Sequence, residues 1–180
     1  MKAVSFAGYR EVVYESVDDP AIETDADVIV RVELAGLCGS DLHPYHLREE
    51  GLDAGTVMGH EFVGEIVEVG PEAGPRCKGQ RVFSPFTTSC GVCAYCTSGL
   101  TSRCPEGQLF GWVGGGEGLH GGQAEYVRVP LAASTLLPIP EGVSAETSTL
   151  SGLLSRRAAA LADGDPARLQ ATFRSPGSRL

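Results

Sequence analysis

The sequence has no apolar run of about 18 residues, so no segment of it reads as a membrane-spanning helix. Its opening residues, Met1-Lys2-Ala3-Val4-Ser5-Phe6, lack a long apolar stretch and a cleavage site, and predict no export signal. A reducing, cytoplasmic setting is the resulting expectation. Basic residues are scarce, with 14 Lys+Arg against 23 Asp+Glu. The imbalance is steepest over residues 1–155, which hold nine basic and 21 acidic side chains, a net of −12. Such a body repels phosphate, and excludes nucleic acid and anionic membrane as partners. Trp occurs once and Met twice, and no segment repeats. Helical signals are sparse before residue 140: a short turn over Asp41 to Arg48, then a helix start at Ser144 with Thr147 three residues on.

The 180 residues are 42% hydrophobic and 21% charged, the make-up of a globular chain of one domain, or one domain and a tail. Gly 24 and Pro 11 are high for this length and suggest a turn-rich β domain. Most strong segments alternate with period two, as half-buried strands do. From Asp27 to Leu34, Val28, Val30, Val32 and Leu34 share one face. Val63, Val67 and Val69 group likewise, and Arg81 to Phe83 and Ala124 to Val129 are two further strands. Short strands punctuated by Gly and Pro predict a barrel or sandwich. Residues 156–180 change register, with five Arg against two Asp and no periodicity. The division expected is a domain over 1–150 and a basic tail over 151–180, part helix and part irregular, partly disordered.

The densest signal is Cys90-x2-Cys93-x2-Cys96-x7-Cys104, within a loop spanning 88–106. Four thiolates on a turning backbone supply the tetrahedron that zinc prefers. A disulfide pair is disfavoured in a reducing compartment. An iron–sulfur cluster is the competing reading, since Cys104-Pro105 follows cysteines at x2 spacing. That motif, however, has three residues before its last Cys and here there are seven. A closed four-thiolate zinc site is structural, because it leaves no position for a substrate.

Upstream lie Cys38-Gly39-Ser40-Asp41-Leu42-His43 and Gly59-His60-Glu61. Cys38, His60 and Glu61 offer a thiolate, an imidazole and a carboxylate, the mixed donor set of a catalytic zinc with an open position. Ser40 and His43 add the hydroxyl and imidazole that a proton shuttle needs. Asp41 can orient a histidine ligand through its second nitrogen.

These motifs, with Gly121-Gly122-Gln123-Ala124-Glu125-Tyr126, resemble the zinc-dependent alcohol dehydrogenases of the medium-chain dehydrogenase/reductase superfamily, in order and over Met1 to about Leu154. The resemblance implies a mainly β, GroES-like barrel with a four-cysteine zinc lobe and few short helices. It implies Cys38, His60 and Glu61 at a catalytic zinc, and Cys90, Cys93, Cys96 and Cys104 at a structural one. Ser40 then bonds the substrate hydroxyl, His43 is the far member of the proton relay, and Asp41 backs the histidine ligand. Small alcohols or aldehydes are the substrates implied, with NAD(P) as hydride carrier. Cys77 matches nothing in the pattern.

Two departures qualify this. Members of the family run to roughly twice this length and continue into a nucleotide-binding domain; here the likeness stops near residue 155. A truncated or shifted reading frame would read this way, as would a divergent short form. A Gly-x-Gly-x-x-Gly match exists at Gly116, Gly118 and Gly121, but a strand follows where the fingerprint needs a helix, so it reads as a glycine-rich loop. The further zinc ligand of the family maps to Gly152, which has no side chain. The expectation is therefore a zinc-binding catalytic domain that alone turns over no alcohol, with a catalytically silent zinc module as the alternative, and the oligomeric state open.

Overall fold

The computed structural model describes residues 1–144. The helix start at Ser144–Thr147, Gly152 and the basic tail therefore lie outside, or at the limit of, the described residues. In chain order the elements are β1 Lys2–Gly8, β2 Glu11–Ser16, β3 Val28–Ala35, a 3₁₀ turn Gly39–Asp41, α1 Leu42–Tyr45, β4 Phe62–Val69 and β5 Arg81–Ser84. Then come α2 Ala94–Thr97, a second 3₁₀ turn Thr101–Arg103, β6 Trp112–Gly114, β7 Glu117–Leu119, β8 Tyr126–Val129, α3 Ala132–Thr135 and β9 Leu137–Pro138. The architecture is mainly β with a few one-turn helices, as the period-two patterning predicts. The helical turn expected over Asp41 to Arg48 is split between the first 3₁₀ turn and α1, and ends where Leu47 takes a positive φ of 50°.

Five strands form one antiparallel sheet in the order β8-β3-β4-β5-β9. β1 and β2 form a hairpin, and so do β6 and β7. The edge of β1 not paired with β2 is taken by two other segments: Val4 N–H donates to Gln123 O (2.8 Å), and Met58 N–H donates to Val4 O (2.9 Å). The sheets thus curl about one core containing Val28, Val30, Phe62, Ile66, Val82, Phe110, Leu119 and Val129. Phe62 and Phe110 meet edge to face at 5.2 Å, an arrangement that contributes about 0.5–1.5 kcal/mol beyond the area buried.

The predicted faces of β3 and β4 need correction. Alternation puts Val28, Val30, Val32 and Leu34 inward, yet Ile29 is buried too. On β4 Val63 is buried as expected, but Phe62 and Ile66 also enter the core, while Val67 is half-buried. The register explains both. Ile29 pairs with Glu68 and Val30 with Ile66, so Val67 is skipped; Val32 pairs with Gly64 and Leu34 with Val63, so Glu33 is skipped. Each bulge turns the side chains beyond it to the opposite face. Because β3 and β4 run antiparallel, with Ala35 opposite Phe62, the turn that follows β3 and the turn that precedes β4 leave the pair at the same end.

Candidate metal centres

The four-cysteine loop is a chain of tight turns. Gly91 takes φ +77°, which lets Cys90 and Cys93 bend toward one another. Cys93 is the N-cap of α2, its Sγ accepting from Cys96 N–H at 3.4 Å. Cys90 Sγ accepts from Cys93 N–H (3.4 Å), and Cys104 Sγ accepts from Cys90 N–H (3.3 Å). Backbone donors aimed at sulfur favour the thiolate. The N–H of Val92, with that of Cys93, draws the Cys90 thiol down to about 7. Burial pushes the Cys96 thiol up to about 12, and its sulfur neighbours add to the effect. Four sulfurs held together in this way offer a cation four soft donors.

The geometry fits zinc. The four Sγ atoms all lie within 4.8 Å of one another, and Cys90 Sγ is 4.0 Å from Cys96 Sγ. Zn–S bonds of about 2.3 Å give a tetrahedron with edges of about 3.8 Å. All four thiols are free of disulfides. The loop is tied to α3, an anchor that the sequence motif does not reveal. Ser89 N–H donates to Thr135 Oγ1 at 3.0 Å, and the Ser134 hydroxyl donates to Ser89 O. A Cβ on Gly91 would lie 2.8 Å from Ser134 Cβ, so the knuckle of the loop packs directly on that helix.

The second cluster assembles from the two turns that meet beyond the Ala35–Phe62 rung of the β3–β4 pair. The chain leaves β3 through Gly36 to Cys38, and enters β4 from Gly59 through His60 and Glu61. Donor atoms of Cys38, His60 and Glu61 all lie within 4.8 Å of one another. Asp41 is buried, and its carboxylate serves both turns: Oδ2 accepts from Cys38 N–H at 2.8 Å, while Oδ1 faces His60 Nδ1 at 3.4 Å. With the ring proton on Nδ1, toward Asp41, the Nε2 lone pair is presented to the cluster. Ser40 Oγ lies 2.9 Å from His60 Nε2 and 3.2 Å from Cys38 Sγ, so its hydroxyl sits at the mouth of the donor set. One sulfur, one nitrogen and one carboxylate at this spacing match an open zinc site.

His43 stands apart from that cluster. It lies on α1, its side chain half exposed, with Nδ1 3.8 Å from Glu49 Oε2. Cys77 is exposed and belongs to neither cluster. The Gly116–Gly121 segment is the turn and second strand of the β6–β7 hairpin, so no helix opens on those glycines to receive a pyrophosphate. The described residues thus do not fit a dinucleotide there. A residue that the motifs did not single out is Gln123, whose side-chain amide donates to Gly36 O at 3.2 Å and whose N–H donates to Met58 O at 2.9 Å. It ties the Cys38 turn to the His60 turn. Its only signal in the sequence is its place in the Gly121–Tyr126 motif.

The chain is 49% identical to a medium chain reductase/dehydrogenase, ucsI, of Acremonium sp, over 80% of this chain and 48% of the relative. It is 46% identical to zinc-type alcohol dehydrogenase B of Aspergillus flavus, over 79% of this chain and 32% of the relative. Among solved structures it superposes on an alcohol dehydrogenase from Thermus sp. with a TM-score of 0.80 and 37% identity, covering 91% of this chain and 47% of that one. The chain spans about half the length of these relatives or less. The alcohol dehydrogenase GroES-like domain family matches residues 24–141, a stretch that holds both cysteine-bearing clusters, and the chain belongs to that family.

Proposed function

We propose that this chain is the zinc-binding catalytic domain, residues 1–150, of an alcohol dehydrogenase-type oxidoreductase that interconverts small alcohols and aldehydes. The observation that carries this is the convergence of Cys38, His60 and Glu61, with Ser40 touching two of the three and Asp41 behind them. Cys38, His60 and Glu61 would hold one zinc, and Cys90, Cys93, Cys96 and Cys104 a second, structural one. At the first site zinc supplies a Lewis acid for the substrate oxygen.

The protein's own groups do the rest. Asp41 keeps the His60 proton on Nδ1 and pins the Cys38 backbone, so both donors face one point. Ser40 Oγ receives the proton leaving a substrate hydroxyl. His43, half exposed on α1 beside Glu49 and apart from the donor cluster, would be the outer group that exchanges protons with solvent. Hydride transfer needs a carrier held about 3–3.5 Å from the donor carbon. The β6–β7 hairpin offers no cradle for one, which supports the alternative that this chain alone is a silent zinc module. The acidic body fits a protein with no nucleic-acid partner.

Cobalt(II) tests the reading. Protein with zinc on the four-cysteine loop is titrated with Co2+, and the sulfur-to-metal absorption is followed. A band that vanishes in Cys38→Ser, and shifts on adding benzyl alcohol or benzaldehyde, is expected. A band indifferent to both small molecules overturns the substrate assignment.

A further inference from the structure

Gly36 has an unusual reason to be glycine. Its φ lies outside the left-handed region, so its backbone is one that any residue adopts. Space is what excludes a side chain. A Cβ built on Gly36 would lie 2.7 Å from Glu61 Oε2, 3.2 Å from Glu61 Cβ and 3.6 Å from Glu61 Cδ. The three nearest atoms all belong to Glu61, a carboxylate that is itself only 6% exposed.

Neither partner can easily retreat. Gly36 N–H donates to Glu61 O at 2.7 Å, just beyond the Ala35–Phe62 rung of the β3–β4 pair. On its other side Gly36 O accepts from Gln123 Nε2 at 3.2 Å. The Gly36 backbone is thus clamped between β4 and Gln123, and an added methyl has to be absorbed by the Glu61 side chain. That side chain carries the one oxygen donor of the Cys38–His60–Glu61 set.

We infer that Gly36, held by Gln123, is a positioning residue that seats the Glu61 carboxylate against the metal site. The inference rests on the metal-binding reading of Cys38, His60 and Glu61, and it assigns a role to a residue that touches neither metal nor substrate. Small residues are tolerated at 36 only to the extent that the Glu61 carboxylate can move, and moving it costs metal affinity. Groups that hold a ligand in place are commonly worth about 10–100-fold in metal affinity.

The test is the affinity of the Cys38 site for Co2+ in protein whose four-cysteine loop carries zinc, measured for wild type, Gly36→Ala, Glu61→Ala and the double variant. Gly36→Ala is expected to bind Co2+ about tenfold more weakly than wild type. In the Glu61→Ala background the same substitution is expected to weaken binding far less, because the oxygen at 2.7 Å is gone and only the 3.2 Å contact with Cβ of residue 61 remains. Equal weakening in both backgrounds overturns the inference, since the methyl then acts through the Cys38 turn. Should Gly36→Ala fail to fold, recovery of the native circular dichroism spectrum in the double variant supports the inference, and no recovery overturns it. A wild-type sulfur-to-cobalt band unaffected by Gly36→Ala overturns this inference alone. Absence of that band from wild type overturns the metal-site reading as well.

Discussion

Asp27 shows how one side chain organises a region at the far end of β3 from Cys38. It is fully buried beside the start of β3, where burial by itself would raise its carboxyl. The Thr24 hydroxyl at 2.5 Å, the N–H groups of Glu23 and Thr24, and the Arg128 guanidinium at 3.1 Å outweigh that and hold it below the usual carboxylate range. A carboxylate depressed in the folded state stabilises the protein above its unfolded pKa, and that contribution fades as pH falls through the folded value. Stability should therefore decline below about pH 4. Asp27→Asn should cost about 1.5–3 kcal/mol near neutrality and flatten the acid limb. Chemical denaturation at several pH values checks it; an unchanged acid limb in Asp27→Asn counts against Asp27. At the same scale, Cys77→Ser should leave zinc content and melting unchanged, because Cys77 is exposed and apart from both clusters.

Among the elements, the zinc loop and α3 should behave as one unit. Structural zinc in small peptides carries on the order of 10–16 kcal/mol of apparent binding free energy at neutral pH, so Cys93→Ser should unfold the loop and release its metal. Metal analysis that finds iron rather than zinc, or full occupancy in Cys93→Ser, contradicts this. The anchor to α3 has its own signature. Thr135→Val keeps the shape but leaves the buried Ser89 N–H without its acceptor, at a cost of about 1–3 kcal/mol. Thermal melting of the zinc-loaded protein measures it, and a Tm equal to wild type refutes the coupling.

For the molecule as a whole, two unequal zincs are expected. Among the described residues, four cysteines converge at the loop, whereas three donors converge at the Cys38 cluster. A chelator should remove the second zinc first, giving a stoichiometry between one and two per chain in partly stripped protein. Two zincs that leave together contradict the assignment. The chain alone should show no turnover of alcohol with NAD+ or NADP+, since its Gly-x-Gly-x-x-Gly segment is a β hairpin and its body repels phosphates. Steady-state assay with calorimetry of NAD+ settles it. Turnover that disappears in Cys38→Ser would mean that the cofactor is gripped elsewhere. β2 belongs to the same scale: Val12, Val13 and Tyr14 stand exposed along it, a surface prone to pair with other strands.

Much of this was legible in the sequence, because metal donors are few in kind and bound by spacing. Cys90, Cys93, Cys96 and Cys104 lie close along the chain, so a turning backbone suffices to bring them together. Strand positions were legible too, since alternation follows from the period of the pleat. What a linear reading could not reach depends on register. Alternation pointed Val67 inward, and a single skipped residue in the pairing put Ile66 there instead. Cys38 and His60 are separated in sequence, and their approach is decided by the antiparallel pairing that sets Ala35 opposite Phe62. The same pairing, continued by the Gly36 N–H to Glu61 O hydrogen bond, sets Gly36 against Glu61, a contact between residues whose types alone carry no sign of it. Sequence by itself determined which atoms could bind metal; only the tertiary structure decided which face each strand shows and how closely two turns meet, because both depend on pairings between distant segments.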